Sequence, residues 1–227
     1  TGMASGDLTK DADSIMAGTL NLQDISTKNN YRAKISRELT DRFQSARKNG
    51  DILGIMKSSA VYDKEPGDTF LTSMEKTISV LGQLGTLQQN IEKEKTGPIL
   101  GTFRAKNPWD TKAQTIKAQL NAIVPNLARG VYGEVGVLTD NDIKVYSRTI
   151  PNLSSTEDIR NAILYITVDR IKRDVENKIK TQASGQRDMS GFAEIYSDVQ
   201  KTANDILSKI PGSIIKAPDG QEIEITN

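Results

Sequence analysis

The side chains that could do chemistry in this chain are carboxylates, amines, guanidinium groups and hydroxyls, because its 227 residues include neither histidine nor cysteine. Cys/His zinc sites, disulfides and nucleophiles activated by histidine are therefore excluded. A pair of carboxylates can hydrolyse a glycoside, and Glu134 and Asp140 are candidates. Nothing in the spacing of the 29 acidic residues singles out such a pair. We predict no catalytic residue, no cofactor, no metal site and no enzymatic activity.

Two short motifs resemble ligand-binding loops but are typical of helix ends and turns. Residues 140–142, Asp-Asn-Asp, offer oxygen ligands, but Lys144 stands where an EF-hand loop needs a further ligand. Thr139 followed three residues later by Asp142 instead predicts a capping box at a helix start. The glycines spaced by three within residues 130–136 match no phosphate-binding loop and indicate turns or close helix packing.

One predicted helix, residues 30–48, carries more basic than acidic residues. Together with nearby aromatic rings, this basic face could contact the phosphates of a nucleic acid. Apolar residues recur along the same helix and predict that one side is buried, so the charges also fit an ordinary solvated surface. The basic residues are Arg32, Lys34, Arg37, Arg42, Arg47 and Lys48.

The elements that position these residues are predicted to be amphipathic helices. Apolar residues three and four apart define a long helix from Asp68 to about Lys95, and another from Glu157 to Ala183. A further helix is predicted over residues 190–209, ended by Pro211 and Gly212. The apolar stripe of the 157–183 helix is widened near its start by Ile159, Ile163 and Ile166.

Between the long helices the sequence predicts breaks. Gly97 and Pro98 end the first long helix, and residues 101–109 are expected to be irregular. Trp109, the only tryptophan, is predicted to fill the core, where a large aromatic side chain would be valuable. Pro125 is expected to kink or restart the helix in which it lies.

The end of the chain differs from the helical part. Residues 213–217 and 221–225 alternate around Pro-Asp-Gly, which predicts a β-hairpin. The fold class is therefore all-α in the main, a multi-helix bundle or orthogonal array with a small C-terminal β-hairpin. We expect residues 1–10 to be a cloning remnant and flexible start, 11–211 a helical domain, and 212–227 the hairpin or the start of a following segment.

Charge and hydropathy limit the class of protein. The chain carries 30 basic and 29 acidic residues, a balance that argues mildly against a dedicated nucleic-acid-binding protein. No apolar run reaches about 18 residues, so no membrane span is predicted. No apolar signal core is visible, so we expect a cytoplasmic or virion-associated protein rather than one secreted through a signal peptide.

Three segments resemble helical modules of tailed-phage virion structural proteins and of large uncharacterised bacterial proteins. They are residues 97–101, 107–110 and 125–142. The last holds an Ala-Arg-Gly helix that is followed by a Gly-x-Leu-Thr-Asp turn. The resemblance implies a structural or assembly role and supplies no catalytic residue.

We therefore expect a non-enzymatic structural or protein-interaction domain, whose partner is a second copy or another subunit of an assembly. A nucleic-acid-associated helical domain that uses the basic face is the alternative, and a carboxylate-based hydrolase is the third hypothesis. The predicted interaction surface is the glycine-rich turn region, with the exposed edge of the hairpin as a place to add a strand. Its candidate residues are Arg129, Tyr132, Glu134, Asp140 and Asp142.

Overall fold

The computed structural model describes residues 3–94, 96–210, 214–216 and 222–224. Over these residues the chain is mainly α-helical, as predicted. The helices are α1 (Leu8–Met16), α2 (Tyr31–Asn49), α3 (Ile52–Ser58), α4 (Asp68–Glu92), α5 (Leu100–Lys106), α6 (Thr111–Gly130), α7 (Asp140–Ser147), α8 (Glu157–Ser184) and α9 (Ala193–Leu207).

Two three-residue strands follow the helices. Strand β1 (Ile214–Lys216) pairs antiparallel with β2 (Glu222–Glu224), so that Ile215 is opposite Ile223. The turn of the predicted hairpin, residues 217–221, lies outside the described residues. The hairpin as a whole therefore stays a prediction.

The chain divides into two compact units. The first consists of residues 1–70 and 176–198, and the second of residues 71–175 and 199–227. The boundaries fall within α4, α8 and α9, and the predicted helical domain of residues 11–211 contributes to both units. Each unit is described by itself below.

The first unit packs α1, α2 and the connector between them around a small apolar core. Its members are Ala12, Ile15, Leu20, Leu22, Ile25, Ile35 and Leu39. The buried carboxylate of Asp11 accepts hydrogen bonds from the Ser5 and Gly6 backbone N–H groups and from the Tyr31 hydroxyl, at 2.7, 3.1 and 2.8 Å. Burial and the bond to Asp11 raise the pKa of Tyr31 to about 12. Residues 5 and 6 and helix α1 are thereby tied to α2.

A returning segment completes the first unit. The backbone N–H of Asp188 donates to the Lys64 carbonyl at 2.7 Å, and that of Met189 donates to the Ser59 hydroxyl at 2.7 Å. Phe192 then packs edge-on against Phe70, with ring centroids 5.7 Å apart. These contacts join residues about 120–130 positions apart in sequence without any disulfide.

The second unit is built on apolar stripes of α4, α6 and α8. Buried residues recur at three- and four-residue spacing along each helix, the pattern that the sequence predicted for α4 and α8. The fully buried members of the stripes include Leu81, Leu84, Leu87, Ile116, Ile123, Leu127, Val168 and Ile171. None of the helices among the described residues has the length and apolarity needed to cross a bilayer.

Two expectations about the second unit are wrong. Residues 101–106, part of the stretch 101–109 that was expected to be irregular, belong to α5. Helix α6 does not restart at Pro125 but continues through it, and the predicted kink there stays a prediction. Asn121, four residues earlier, is exposed, so water can hydrate the carbonyl that proline leaves without a donor. Ile159 and Ile166 do not widen the buried stripe of α8 but are exposed, because they lie outside its Leu164–Val168–Ile171 face.

Helix α5 is seated by a close approach of backbone to backbone. Gly97 donates its N–H to the carbonyl of Leu153 at 2.9 Å. Gly101, buried at the second position of α5, lies against the same carbonyl so closely that a Cβ there would be 1.8 Å from the oxygen. Only glycine leaves room for this contact, so α5 and the connector after α7 are fixed to each other.

Gly101→Ala should strongly destabilise the protein, because the added Cβ would collide with backbone atoms that cannot rotate away. We expect the free energy of unfolding to fall by about 2–4 kcal/mol. The matched control is Gly82→Ala in α4, where a Cβ would meet nothing within 4 Å. Helix propensity predicts a gain of up to about 1 kcal/mol there. Urea denaturation measures both variants, and equal stability would contradict the close approach.

Candidate functional site

The predicted interaction surface lies on the loop between α6 and α7. Arg129 is exposed near the end of α6 and donates to the carbonyl of Gly136 at 3.3 Å, which pins the loop to the helix. Gly133 and Gly136 have φ angles of +72° and +96°, a region that favours glycine. Gly133 and Gly136 therefore belong to a turn. Gly130 is instead buried at the end of α6, where a Cβ would lie 3.0 Å from the Cβ of Lys76 on α4. The turn and the close helix packing that the sequence predicted are both present.

Two of the five predicted surface residues meet around a tyrosine that the sequence did not single out. The hydroxyl of Tyr146, on α7, donates to a carboxylate oxygen of Glu134. The Tyr146 ring is 4.9 Å from that of Tyr132, and the guanidinium of Arg170 lies 4.1 Å above the Tyr132 ring. The bond to Glu134 and burial raise the pKa of Tyr146 to about 12. These contacts pack the loop against α7 and α8.

The two aspartates of the predicted surface lie at the start of α7. Thr139 and Asp142 form the predicted capping box, in which Asp142 accepts the Thr139 backbone N–H at 2.8 Å and Thr139 accepts that of Asp142 at 3.2 Å. The bonds from Thr139 lower the pKa of Asp142. Asp140 is exposed at the first position of the helix. Both serve the helix start, where the dipole favours negative charge.

The carboxylates give no support to the hydrolase hypothesis. A general acid needs a raised pKa, whereas the four carboxylates with a shifted pKa in the described part of the chain all have a lowered one. These are Asp11, Glu94, Asp110 and Asp142. Among the described residues no group of three or more acidic side chains could hold a metal ion.

The predicted basic face is divided by ion pairs and by the helix period. Arg42 bonds to Asp13 at 2.5 Å and to Glu38 at 2.9 Å. Arg32 is engaged with the side-chain oxygen of Gln23. Lys34, Arg37 and Lys48 point away from the core, and Arg47 lies on another side of the helix. The structure therefore does not gather the six basic residues on one face.

A group of exposed apolar side chains in and next to α5 was not predicted. Trp109 is 88% exposed and Phe103 is 71% exposed, so the expectation that Trp109 fills the core is wrong. Ile99 and Leu100 at the start of α5 are exposed as well. Ile99 and Phe103 are four residues apart and share one side of the helix, since the Phe103 N–H donates to the Ile99 carbonyl at 3.0 Å. We call Ile99, Leu100, Phe103 and Trp109 the α5 surface.

An ion-pair network holds the backbone beneath the α5 surface. The Arg104 guanidinium bonds to Glu94 at 2.7 Å and to Asp110 at 2.7 Å, and Lys112 bonds to Glu94 at 3.1 Å. Arg104 follows Phe103 and Asp110 follows Trp109, so the bridge ties together the backbone segments that carry the two aromatic residues. The bond to Arg104 lowers the pKa of Asp110 to about 2 and, with Lys112, lowers that of Glu94.

A smaller apolar feature lies on the predicted surface itself. Val135 and Val137 flank Gly136 and are almost fully exposed. The residues predicted for the interaction surface of this loop are polar or aromatic, and the two valines are not among them. The sequence signal that indicates this feature is a β-branched residue on each side of Gly136.

Comparison with known proteins identifies no relative that could inform on these surfaces. No protein-family model matches the chain, and no curated protein or solved structure is significantly similar to it. The resemblance to tailed-phage virion modules therefore stays a prediction, and the function must be argued from the residues.

Arg104→Met should remove a pH-dependent part of the stability. The folded pKa of Asp110, about 2, lies below its ordinary value of 3.8, so its contribution is complete above about pH 4 and is lost as the pH falls towards 2. We expect the variant to unfold about 2–8 °C lower at pH 7, and the difference to shrink between pH 4 and 2. Thermal unfolding followed by circular dichroism measures this.

The control for this experiment is Arg173→Met, which breaks an exposed ion pair with Asp169 on α8. Exposed pairs contribute little, so this variant should match the wild type at every pH. A constant difference between Arg104→Met and the wild type from pH 7 to 2 would show that the carboxylate partners of Arg104 do not carry the effect.

Proposed function

We propose that this chain is a non-enzymatic protein-interaction domain that self-associates through the α5 surface. The observation that carries the proposal is the exposure of Phe103 and Trp109 on a backbone fixed by the Arg104 ion pairs. Aromatic anchors that are already held in place lose little entropy on binding. Tryptophan and arginine are also the residues most enriched at the centre of protein interfaces.

A second copy of the chain is the occupant that the charges and the geometry favour. The net charge is +1, so two copies do not repel each other at long range. The apolar line formed by Ile99 and Phe103 on α5 can pack antiparallel against the same line of another copy, as in a twofold-symmetric interface. Such an interface can form from these residues alone.

The size of the α5 surface sets the strength of the association. Four large apolar side chains with these exposures offer on the order of 500 Å² per copy. Two copies would bury about 1,000 Å², which is the lower limit of a specific interface. We therefore propose a weak dimer, or one contact of several in a larger assembly.

The assembly setting rests on two further proposals. The resemblance to tailed-phage virion modules suggests a repeating structural role. The predicted C-terminal hairpin would supply an additional contact by pairing its edge with a strand of a neighbouring molecule. These two proposals do not depend on the α5 surface. Either can be wrong while the proposal for the α5 surface stands.

The test is sedimentation velocity between about 1 µM and 1 mM, the range in which weak interfaces form. We expect the wild-type mass to rise towards that of a dimer. In the double variant Phe103→Ser/Trp109→Ser, the dissociation constant should increase at least tenfold, because two central anchors are lost. The matched control is Ile166→Ser, which removes an exposed apolar side chain of α8 that is not part of the α5 surface and should leave the association unchanged.

Two outcomes would overturn the proposal. A wild-type protein that stays monomeric at 1 mM does not self-associate. Association that is equal in the wild type and the double variant uses another surface. A parallel titration with duplex DNA tests the nucleic-acid alternative, because binding through phosphates must weaken steeply as salt is raised.

A further inference from the structure

The second unit contains a polar cavity that the proposed function does not use. Its volume is about 410 Å³, and it is lined by residues of α4 and α8 together with Pro151 and Lys209. Ile91 and Leu164 form apolar walls. Two polar side chains in this lining, Gln88 and Arg160, are almost completely buried. The cavity is large enough for a small organic ligand or the end of a peptide.

Gln88 is the first unusual group of the cavity. Its side chain is 5% exposed, and neither its amide oxygen nor its amide nitrogen has a hydrogen-bond partner. Among the described residues no other side chain leaves both of its polar atoms buried and unpartnered. Buried Thr77 and Thr167, in contrast, each donate to a backbone carbonyl. An amide that is buried without hydrogen bonds costs free energy. The Gln88 side chain lacks a donor for its amide oxygen and an acceptor for its amide nitrogen.

Arg160 is the second unusual group. It is 9% exposed, and its Nη1 donates to the Thr96 hydroxyl and to the Ser155 carbonyl. These acceptors are neutral, and no carboxylate within the described part of the chain forms an ion pair with Arg160. A buried guanidinium is normally paired with an anion, and its planar donors match a carboxylate.

We propose that this cavity binds a carboxylate that carries a neighbouring amide, the chemistry of a peptide C-terminus. Arg160 receives the carboxylate, and Gln88 pairs with the amide N–H and C=O, which supply the missing acceptor and donor. Ile91 and Leu164 contact a small side chain between them. The inference does not rest on the α5 surface, which consists of other residues.

The charges at the mouth of the cavity narrow the ligand class. Glu92 and Glu157 are exposed lining residues and repel a ligand with several negative charges, such as a phosphate. Lys209 supplies one positive charge on the same rim. A single carboxylate therefore fits better than a phosphorylated group. The same chemistry is found in a free N-acyl amino acid and at the end of a protein chain.

The test titrates the full chain, labelled with ¹⁵N, with three probes. N-acetyl-L-alanine represents the free small molecule, and a tetrapeptide that ends in alanine represents a chain terminus. The same tetrapeptide with an amidated C-terminus lacks the carboxylate. We expect saturable shifts of amides around the cavity with one or both of the first two probes, and binding at least tenfold weaker with the amidated peptide.

Two variants and two matched controls identify the residues. Gln88→Leu and Arg160→Met should each weaken binding roughly tenfold to a hundredfold. Gln89→Leu alters an exposed neighbour on α4, and Arg173→Met an exposed arginine on α8, and both should bind like the wild type. Gln88→Leu also removes two unpaired polar atoms, so without ligand it should unfold at the same temperature as the wild type or higher.

The outcomes separate the sources of the ligand and can overturn the site. Binding of N-acetyl-L-alanine as tightly as the peptide assigns the site to a free small molecule, and binding of the peptide alone assigns it to a chain terminus. Absence of saturable binding by both carboxylate probes overturns the proposal. So does binding that is insensitive to amidation or to Gln88→Leu, or a Gln88→Leu protein that is clearly less stable than the wild type.

Discussion

The bridge from Arg104 to Glu94 and Asp110 is the interaction on which the second unit's exposed surface depends. One planar guanidinium holds the end of the α4 region and the start of α6, and α5 lies between these points. Because all three side chains are mostly shielded from solvent, the pairs are worth more than ordinary surface pairs. The bridge thereby connects the two ends of α5 to its neighbouring helices, while the side chains of the α5 surface stay exposed.

Much of the fold follows from periodicity, and the departures have physical causes. The spacing of Leu84, Leu87 and Ile91 defines α4, and the Thr139 and Asp142 pair marks the start of α7. Helix α5 could not be predicted because its seven residues span only about two helical turns, too few to show an apolar periodicity. Its stability comes from Arg104 and from the Leu153 carbonyl. The environment of Trp109 cannot be deduced from composition, since an aromatic ring fits a core or a binding surface equally well.

The candidate sites could be predicted only in part. The loop at residues 129–142 was found from its glycines and charges, but its packing around Tyr146 depends on Arg170, which is distant in sequence. Gln88 and Arg160 did carry a signal. Gln88 lies four residues after Leu84, and Arg160 four residues before Leu164, so each is a polar residue at a position of an apolar stripe. Such a position indicates burial, but not that the partner is missing.

The contact between Gly101 and Leu153 has a consequence for the order of events during synthesis. It joins positions about fifty residues apart, so α5 cannot take its final place until the connector after α7 has left the ribosome. Until then the Arg104 bridge can tie the two ends of α5, but Gly101 has no carbonyl to pack against. The self-association proposed for the α5 surface would therefore begin with molecules whose second unit is complete.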